Sequence, residues 1–346
     1  MRAPAERPRR SPGFYLRYAL FLIVLVLVTL EVGLRILGRR PWEPTTQSFT
    51  VSPGGHMFQA DSVLGFVGRP GSYRAQIGEE VKFSFTHGED GFRVMPEPPT
   101  DSLLPEVWLL GCSFTHGYGV DDTATWAWHL ARAFPTYRFR NFGMTAYGTL
   151  HSRLVLARAL ADTARYGRPR LVVLAYGDFH QQRNTADRYW RKALSGRAAA
   201  DSLDYPYAIW RDSSQYDIGR TRLAYHPWPG QQYSAFIHWL EDGYNAREEQ
   251  ALHSRALTGT LIREIAGLSR AAGAHFLLSG IWEHPGTTDM LATMARAGIE
   301  TSDWSLAADD PYVFLFDDPH PNAEGHAQIA TRALPVLRDI LADDKR

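Results

Sequence analysis

The chain has 346 residues, and its 37 acidic residues balance 37 lysines and arginines, which gives no formal net charge. This length fits one catalytic domain with insertions and an appendage, and the balanced charge, with no basic stripe, gives no indication of a nucleic-acid partner. The only cysteine, Cys112, excludes an intramolecular disulfide and a zinc site built from several cysteines.

A mostly apolar stretch at residues 18–37 predicts a transmembrane signal anchor, because its length is close to the roughly 20 residues that a bilayer-spanning helix needs. Arginines are more frequent before this stretch than at its end, which predicts that residues 1–17 form a cytoplasmic basic segment. The arginines before it are Arg2, Arg7, Arg9, Arg10 and Arg17, and those at its end are Arg35, Arg39 and Arg40. No small-residue cleavage site follows, so we expect a single-pass protein of the cytoplasmic (inner) membrane with an extracytoplasmic, periplasmic domain. A cleaved signal peptide and a buried helix are the alternatives.

Residues 38–104 are predicted to form a linker and a small β-rich lead-in. Residues 38–60 are rich in Pro, Thr, Ser and Gly, which is typical of a linker. Apolar residues alternate with other residues at 64–73 and 81–86, which indicates short strands. Because the segment has few apolar residues for a core of its own, we expect it to pack as a strap against the main sheet.

From residue 105 to residue 342, predicted strands alternate with predicted helices. The strands are expected at 106–111, 137–142, 170–176, 275–280 and 312–316, and the helices at about 123–134, 148–166, 246–272 and 323–342. This alternation predicts an α/β domain with a central parallel sheet that helices cover on both faces. The apolar runs at 171–175 and 276–278 do not alternate, as expected for strands that are buried on both sides.

An aromatic-rich insertion at about 185–245 interrupts the alternation of strands and helices. Tyrosine and tryptophan are crowded in it, among Pro, Gly, Asp and Arg. Two interpretations remain open: an aromatic cap over the site that stacks on sugar rings or holds an acyl chain, and a small core that packs the insertion.

Two polar segments carry the parts of a serine hydrolase. Ser113 follows the predicted strand at 106–111, and the run Asp-Asp-Pro-His-Pro-Asn at 317–322 follows the predicted strand at 312–316. A hydroxyl, an imidazole and a carboxylate form a nucleophilic triad when they meet, and segments that follow parallel strands meet at the carboxyl edge of the sheet. Each segment alone is equally consistent with a turn or a helix cap.

These motifs resemble those of the SGNH, or GDSL-type, hydrolase family. Residues 111–115 resemble its Gly-Asp-Ser block, and residues 317–322 match its Asp-x-x-His-Pro-Asn block. Residues 141–148 and 171–178 fall where the family has its two middle blocks. The resemblance covers about residues 105–342 and implies a flavodoxin-like three-layer sandwich with the activity of a carboxylic ester hydrolase or an acyltransferase.

The resemblance assigns the triad to three residues. Ser113 is the nucleophile, His320 is the general base, and Asp317 orients the imidazole, because the family separates this acid from its histidine by three positions. Asp318 is the alternative acid. Such an enzyme uses no cofactor, and no cluster of His, Asp and Glu in the sequence has the spacing of metal ligands.

The resemblance also predicts an oxyanion hole. The expected donors are the backbone N–H groups of Ser113 and Ala146, where Ala146 stands in place of the family's usual glycine. Asp178 occupies the place of a third donor, an asparagine side chain. Because an ionised carboxylate only accepts hydrogen bonds, Asp178 must be protonated, turned away or replaced by another donor such as His180 or Asn184.

Three more residues are accessory candidates for the site. Gly143 and Gly148 are expected to allow a tight backbone beside Ala146. His116 lies within one helical turn of Ser113, and we expect it to be a local hydrogen-bonding residue, with a catalytic role as the alternative.

The anchor and the motifs together predict a membrane-anchored serine esterase that acts on acyl esters, acetyl esters among them, of a polysaccharide or another envelope component. An O-acyltransferase with the same triad is one alternative. A non-catalytic carbohydrate-binding or assembly protein that keeps the fold is the other. The expected partners are the ester substrate and, through the N-terminal helix, the membrane, with no nucleic acid.

Overall fold

The computed structural model describes residues 11–44, 48–97, 104–196, 204–212, 215–316 and 318–343. The chain divides into two units, a smaller one of Met1–Pro44 with His226–Arg247 and a larger one of Thr45–Tyr225 with Glu248–Arg346. All of the residues predicted to form the site belong to the larger unit.

The helices and strands of the described residues have the following bounds. The helices are α1 (Pro12–Ile36), α2 (Ser113–His116), α3 (Trp126–Ala133), α4 (Thr149–Ala161), α5 (Thr163–Tyr166), α6 (His180–Thr185), α7 (Arg188–Ala193), α8 (Ala235–Ala251), α9 (Ser254–Ala271), α10 (Pro285–Arg296) and α11 (Ala323–Asp343). The strands are β1 (Phe49–Ser52), β2 (Phe58–Asp61), β3 (Gly65–Gly68), β4 (Gly71–Ile77), β5 (Val81–His87), β6 (Glu106–Leu110), β7 (Arg138–Asn141), β8 (Pro169–Tyr176), β9 (Asp204–Asp212), β10 (Gln215–Arg222), β11 (His275–Trp282), β12 (Glu300–Leu306), β13 (Phe314–Leu315) and β14 (Asp318–Pro321).

A five-stranded parallel sheet in the order β12-β11-β8-β6-β7 forms the centre of the larger unit. From β6 the chain first extends the sheet on one side with β7 and then returns to add β8 on the other side. This is the flavodoxin-like strand order, and its switch point lies between β6 and β8, where open α/β sheets place their sites. The predicted fold class is confirmed.

Helices cover both faces of this sheet and give the unit three layers. On one face, Trp108 and Val172 pack in a buried cluster with side chains of α4 and α9. On the other face, Val107 and Val173 pack in a second cluster with side chains of α3 and α11. The alternation of neighbouring residues between the two clusters explains why these strands are apolar throughout, since each aliphatic side chain buried adds about 1.5–3 kcal/mol.

The lead-in forms a small antiparallel sheet in the order β1-β4-β5. Arg93 links it to the central sheet through isolated antiparallel bridges with His87 of β5 and Asn141 of β7. The apolar face of the lead-in is completed from outside: Tyr73, Phe83 and Phe85 pack in one buried cluster with Tyr118, which lies just after α2. Because these few side chains need Tyr118 to close their cluster, the lead-in depends on the main domain and lines the region that follows Ser113.

Three predicted elements differ from the structure. The helix predicted at 148–166 is interrupted at Asp162, between α4 and α5. The helix predicted at 246–272 is divided between α8 and α9, because His253 takes the left-handed conformation with φ +52. The strand predicted at 312–316 does not enter the parallel sheet, since β13 pairs antiparallel with β14. The fifth sheet strand is instead β12, an edge strand whose sequence Glu-Thr-Ser-Asp-Trp-Ser-Leu is too polar to be recognised.

The aromatic-rich insertion contains α7, the β9–β10 hairpin and most of α8. Aromatic side chains of the hairpin pack on the main core: Tyr205 is buried there, and Tyr207, Trp210 and Tyr216 lie against it. This packing is what the small-core interpretation expects of the first half of the insertion. The second half of the insertion, from His226, belongs to the smaller unit, which includes His226–Arg247.

The smaller unit contains α1, a helix of 25 residues with mean hydropathy 2.5 over its most apolar window and no buried residue in that window. Among the described residues it is the one helix that is long and apolar enough to cross a membrane. The predicted N-terminal apolar helix is therefore present.

Candidate active site

The nucleophile candidate lies in a tight turn at the end of β6. Ser113 is the first residue of α2, a single helical turn, and its side chain is buried. Gly111 permits this turn because a Cβ atom there would lie 2.2 Å from the Thr115 hydroxyl oxygen. From the end of β7, the Asn141 side-chain amide donates to the Thr115 carbonyl oxygen at 2.7 Å. The turn is therefore fixed from the neighbouring strand.

Ser113, His320 and Asp318 form a continuous hydrogen-bonded chain. The Ser113 Oγ atom lies 2.8 Å from His320 Nε2. On the other side of the imidazole, His320 Nδ1 contacts the Asp318 carboxylate, which also accepts the His320 backbone N–H at 2.9 Å. The Asp318 side chain is almost fully buried, so its charge acts on His320 with little screening by water.

The carboxylate that the structure brings to His320 is therefore the alternative acid of the sequence analysis. Asp317 lies outside the described residues. Asp318 and His320 belong to β14, and residues two apart in an extended strand project to the same side. A spacing of three would instead require the chain to turn between the acid and the histidine.

Two backbone N–H groups remain as candidate oxyanion donors, those of Ser113 and Ala146. Within the described ranges, neither donates to a protein acceptor. Ala146 has φ +68, a left-handed conformation that suits glycine and costs a residue with a Cβ about 1–2 kcal/mol. The Tyr205 hydroxyl donates to the Ala146 carbonyl oxygen at 2.8 Å and so fixes the orientation of this strained backbone.

Asp178 follows β8, at the other side of the switch point. Its carboxylate pairs with His284 Nδ1, at the N-terminus of α10, and its backbone N–H donates to the Thr287 hydroxyl at 3.1 Å. Burial raises the pKa of Asp178, and the charge of His284 opposes this shift. The carboxylate is thus in contact with His284 and in its ionised form offers no donor.

The proposed replacement donors are used elsewhere. The Asn184 side chain accepts the Leu150 N–H at 2.8 Å and donates to the Thr258 hydroxyl at 2.8 Å, so it joins α6 to α4 and α9. His180 is fully buried, with Nδ1 3.3 Å from the Thr149 hydroxyl. Burial holds the pKa of His180 well below its usual range. Both side chains are buried in the core, Asn184 with its partners on α4 and α9 and His180 with Nε2 without a protein partner among the described residues.

The two glycines expected to serve a tight backbone are in close contact with their neighbours. A Cβ atom at Gly143 would lie 2.6 Å from the His116 backbone nitrogen, and one at Gly148 would lie 2.7 Å from the Asn184 side-chain oxygen. The Gly143 N–H donates to the Asn141 side-chain oxygen at 3.0 Å. A side chain at Gly143 would therefore push apart the segments that carry Ser113 and Ala146, and one at Gly148 would push against α6.

His116 is a local hydrogen-bonding residue in the structure. Its Nε2 atom lies 3.0 Å from Nε2 of His87, which comes from β5 of the lead-in. Burial lowers the pKa of both rings, that of His87 to about 4, so the pair is neutral near pH 7. The pair joins the lead-in to the turn that carries the nucleophile.

One important residue, Arg93, was missed by the sequence analysis. Its buried guanidinium donates to the carbonyl oxygens of His116 at 2.9 Å and Val120 at 2.6 Å, and pairs with Asp122 at 2.7 Å. These acceptors lie in the chain that follows Ser113, so Arg93 ties this segment to the lead-in. The sequence around Arg93 indicates only a turn, and no local pattern predicts that its side chain reaches the segment after Ser113.

Aromatic rings surround His320 and the segment after Ser113. The His320 ring centroid lies 4.6 Å from that of Tyr118 and 5.4 Å from that of Phe114. Phe114 in turn contacts Phe179 and Trp282, with centroids 5.7 and 6.0 Å away. Phe114 and Tyr118 are buried, and Phe179 and Trp282 are partly exposed, so the surroundings of the His320 ring are largely apolar.

Within the ranges that the structure describes, no group of three or more His, Cys, Asp or Glu side chains is placed to hold a metal ion.

No protein-family model matches the chain, and no curated protein sequence matches it either. Similar solved structures include TesA, at 16% identity and a TM-score of 0.41, which aligns over 68% of this chain and 99% of that one. The esterase EstA of Pseudoalteromonas sp. is 13% identical with a TM-score of 0.41, covering 68% of this chain and 98% of its own. A lipolytic G-D-S-L family protein of Veillonella parvula is 15% identical with a TM-score of 0.39, covering 67% and 97%. The structure comparison thus returns the family that the motifs resemble, at similarities too low to transfer an activity.

Proposed function

We propose that this chain is a membrane-anchored serine ester hydrolase in which Ser113 is the nucleophile, His320 the general base and Asp318 the orienting acid. The observation that carries the proposal is the hydrogen-bonded chain from Ser113 Oγ through both ring nitrogens of His320 to the Asp318 carboxylate. A nucleophile in contact with a base that a third group orients is the arrangement that activates a weak hydroxyl.

The reaction follows from this geometry. As Ser113 Oγ attacks the ester carbonyl carbon, its proton passes to His320 Nε2, and the resulting imidazolium donates that proton to the departing alkoxide. Asp318 accepts a hydrogen bond from Nδ1, which fixes the tautomer with a bare Nε2 and stabilises the imidazolium. Water then attacks the acyl-enzyme and gives a proton to His320 Nε2. The imidazolium returns that proton to Ser113 Oγ as the carboxylic acid product leaves.

The backbone supplies the stabilisation of the tetrahedral intermediate in this proposal. The N–H groups of Ser113 and Ala146 are the donors, and the Tyr205 hydroxyl holds the Ala146 peptide in place. A preorganised donor of this kind lowers the barrier by about 3–4 kcal/mol. Asp178, paired with His284, supplies no donor, so we expect an oxyanion hole built from two backbone groups.

The substrate that we propose is an acyl ester, such as an acetyl ester, of a polysaccharide or another component of the cell envelope. The apolar wall of Phe114, Phe179 and Trp282 favours an acyl group over a charged one. The helix α1, with arginines before it, favours an extracytoplasmic substrate near the membrane that α1 spans. An O-acyltransferase with the same triad would differ in the second step, in which the hydroxyl of an acceptor molecule, instead of water, attacks the acyl-enzyme.

The test is to treat the purified full chain in detergent or nanodiscs with a fluorophosphonate probe and then to measure hydrolysis of a chromogenic acetyl ester. We expect covalent labelling and ester turnover, both abolished by Ser113→Ala. A folded wild-type protein that resists the probe and hydrolyses no ester would show that the chain keeps the fold without the activity. Release of acetate from acetylated glycans, against transfer to an added sugar acceptor, separates the hydrolase from the acyltransferase.

A further inference from the structure

The smaller unit joins two segments that are far apart in sequence. The Glu31 carboxylate, on α1, accepts the backbone N–H groups of Ala235 at 3.0 Å and Phe236 at 2.9 Å, and the Ser234 hydroxyl at 2.8 Å. These N–H groups belong to the first turn of α8, where a helix has no internal acceptors for them. Glu31 therefore caps α8, and its negative charge complements the helix dipole.

Further contacts hold the same segment to the end of α1. Arg35 pairs with Glu31 at 2.6 Å and donates to the Tyr233 carbonyl oxygen at 2.9 Å. Beyond the helix, the Trp42 N–H donates to the Gln231 carbonyl oxygen at 3.1 Å. A carboxylate in an apolar membrane helix is costly unless it is paired, and these contacts explain why Glu31 is present there.

The position of Glu31 in α1 sets the level of α8 relative to a bilayer. Arg17 and Arg35 are 18 residues apart. That separation is about 27 Å along a helix axis, close to the roughly 30 Å of a hydrocarbon core, so the two arginines mark its two boundaries. Glu31 lies one turn before Arg35, about 6 Å along the axis, and the first turn of α8 is thus fixed near the headgroup level.

One face of α8 carries apolar and aromatic side chains that the protein leaves exposed. Trp239, Leu240 and Tyr244 recur at helical spacing and are 45%, 42% and 45% exposed, and the partly buried Phe236 stacks on Trp239. The opposite face is covered, with Glu241 and other polar groups buried. Exposed aromatic patches mark interaction surfaces, and Trp and Tyr are enriched where a membrane meets water.

We propose that α8 is an interfacial helix whose aromatic face lies among the lipid headgroups of the bilayer that α1 spans. This inference rests on the membrane anchorage proposed above. The occupant is lipid rather than a protein partner, because the hydrogen bonds from Glu31 and Arg35 fix the start of α8 at the membrane boundary itself. The segment 226–247 then acts as a collar around the outer end of the anchor, which limits the tilt of α1.

The test is to place spin labels on the full chain in nanodiscs and to compare their accessibility to oxygen, which concentrates in lipid, and to a water-soluble nickel chelate. The labelled variants are Leu240→Cys and Trp239→Cys on the aromatic face, Ile218→Cys as a matched control, and Val26→Cys in α1. Ile218 is 45% exposed, similar to the 42% of Leu240, but belongs to the larger unit. The unlabelled parent controls for Cys112, which is buried.

We expect the labels at 239 and 240 to be at least threefold more accessible to oxygen relative to the chelate than the label at 218. Equal accessibility at 240 and 218, with the label at 26 in lipid, would overturn the interfacial helix and leave the anchor intact. That result would point to a protein partner for the patch. A label at 26 in water would overturn the anchorage, and the interfacial helix with it.

Discussion

At the scale of single residues, the acid that we propose for the triad, Asp318, is positioned by backbone conformation. Asp318 and His320 face the same way because β14 is extended, and Asp318 Oδ1 is bonded to both the ring and the backbone N–H of His320. We predict that Asp318→Ala lowers kcat/KM for a chromogenic ester by roughly 10³–10⁴-fold, as loss of the orienting acid does in other serine triads.

The matched control for this prediction is Asp317→Ala, which removes the neighbouring carboxylate and is expected to change kcat/KM less than fivefold. Steady-state kinetics on both variants, with circular dichroism to verify folding, make the comparison. If the two effects are reversed, the family's spacing of three residues holds in solution and the orienting role belongs to Asp317.

Ala146 carries backbone strain at a proposed oxyanion donor. Ala146→Gly relieves the left-handed strain of about 1–2 kcal/mol, but it removes a buried methyl worth about 0.8 kcal/mol and adds unfolded-state entropy. We therefore predict a change in the free energy of unfolding within about 1 kcal/mol, with activity retained because the N–H remains.

The control for Ala146→Gly is Ala266→Gly, at a buried alanine in the interior of α9. There the methyl is lost and a helix interior gains a glycine, so we expect a destabilisation of about 2 kcal/mol in denaturant unfolding. A larger loss of stability at 146 than at 266 would contradict the strain, and a loss of turnover at 146 alone would show that its methyl group shapes the site.

The family resemblance puts Asp178 at the place of an amide donor, so its ionisation matters for the proposed reaction. Asp178→Asn replaces an acceptor by a permanent donor, and we predict a gain in ester turnover of up to about 10²-fold. The gain is expected to grow as pH rises through the raised pKa of Asp178, since below it the wild-type carboxyl is protonated and can itself donate. A pH profile of kcat for both proteins measures this.

The companion variant for Asp178→Asn is His284→Gln, which removes the other member of the ion pair. If Asp178→Asn instead lowers turnover tenfold or more at every pH and His284→Gln does the same, the ion pair itself supports the site. The position of Asp178 as the counterpart of the family's amide donor would then be wrong.

At the scale of elements, α2 is too short to be stable alone and depends on contacts from the lead-in. A single turn forms few hydrogen bonds for the dihedrals that it fixes. Arg93 supplies donors to the carbonyl oxygens of His116 and Val120. We predict that Arg93→Met destabilises the protein by about 3 kcal/mol or more, because it leaves buried carbonyl acceptors without a donor and removes the ion-pair partner of Asp122. We also predict that it slows fluorophosphonate labelling of the folded fraction at least tenfold.

Arg140→Met is the matched control for Arg93→Met. Arg140 pairs with Glu106 at 2.7 Å, at the start of β6 and so at the end of the strand opposite Ser113. Denaturant unfolding should show destabilisation for this variant too, while the labelling rate of its folded fraction stays near that of wild type. Equal slowing in both variants would show that Arg93 acts through overall stability alone.

The sequence predicted those elements whose composition is apolar enough to indicate that they are buried. The apolar runs of β6, β8 and β11 could be read directly, as could Ser113 and His320 from their motifs. β12 was missed because an edge strand tolerates polar residues. The choice between Asp317 and Asp318 depends on the path of the chain before His320, which the sequence does not specify. Arg93, Tyr118 and Tyr205 act through contacts between distant segments, which leave no local pattern.

At the scale of the whole molecule, the proposed substrate requires the larger unit to be outside the cytoplasm. Five arginines precede the apolar part of α1 and three lie at or beyond its end, and the side with the greater number of positive charges is retained inside. We predict that a periplasm-active reporter fused after Arg346 gives signal and that a cytoplasm-active reporter at the same point does not. The excess of positive charge before α1 is removed when five arginines are replaced by glutamine: Arg2, Arg7, Arg9, Arg10 and Arg17. In this variant we expect the two signals to be reversed in part of the population. Cytoplasmic signal from the unaltered fusion would contradict the orientation and, with it, an envelope ester as the substrate, while the triad would remain open to test on a cytoplasmic one.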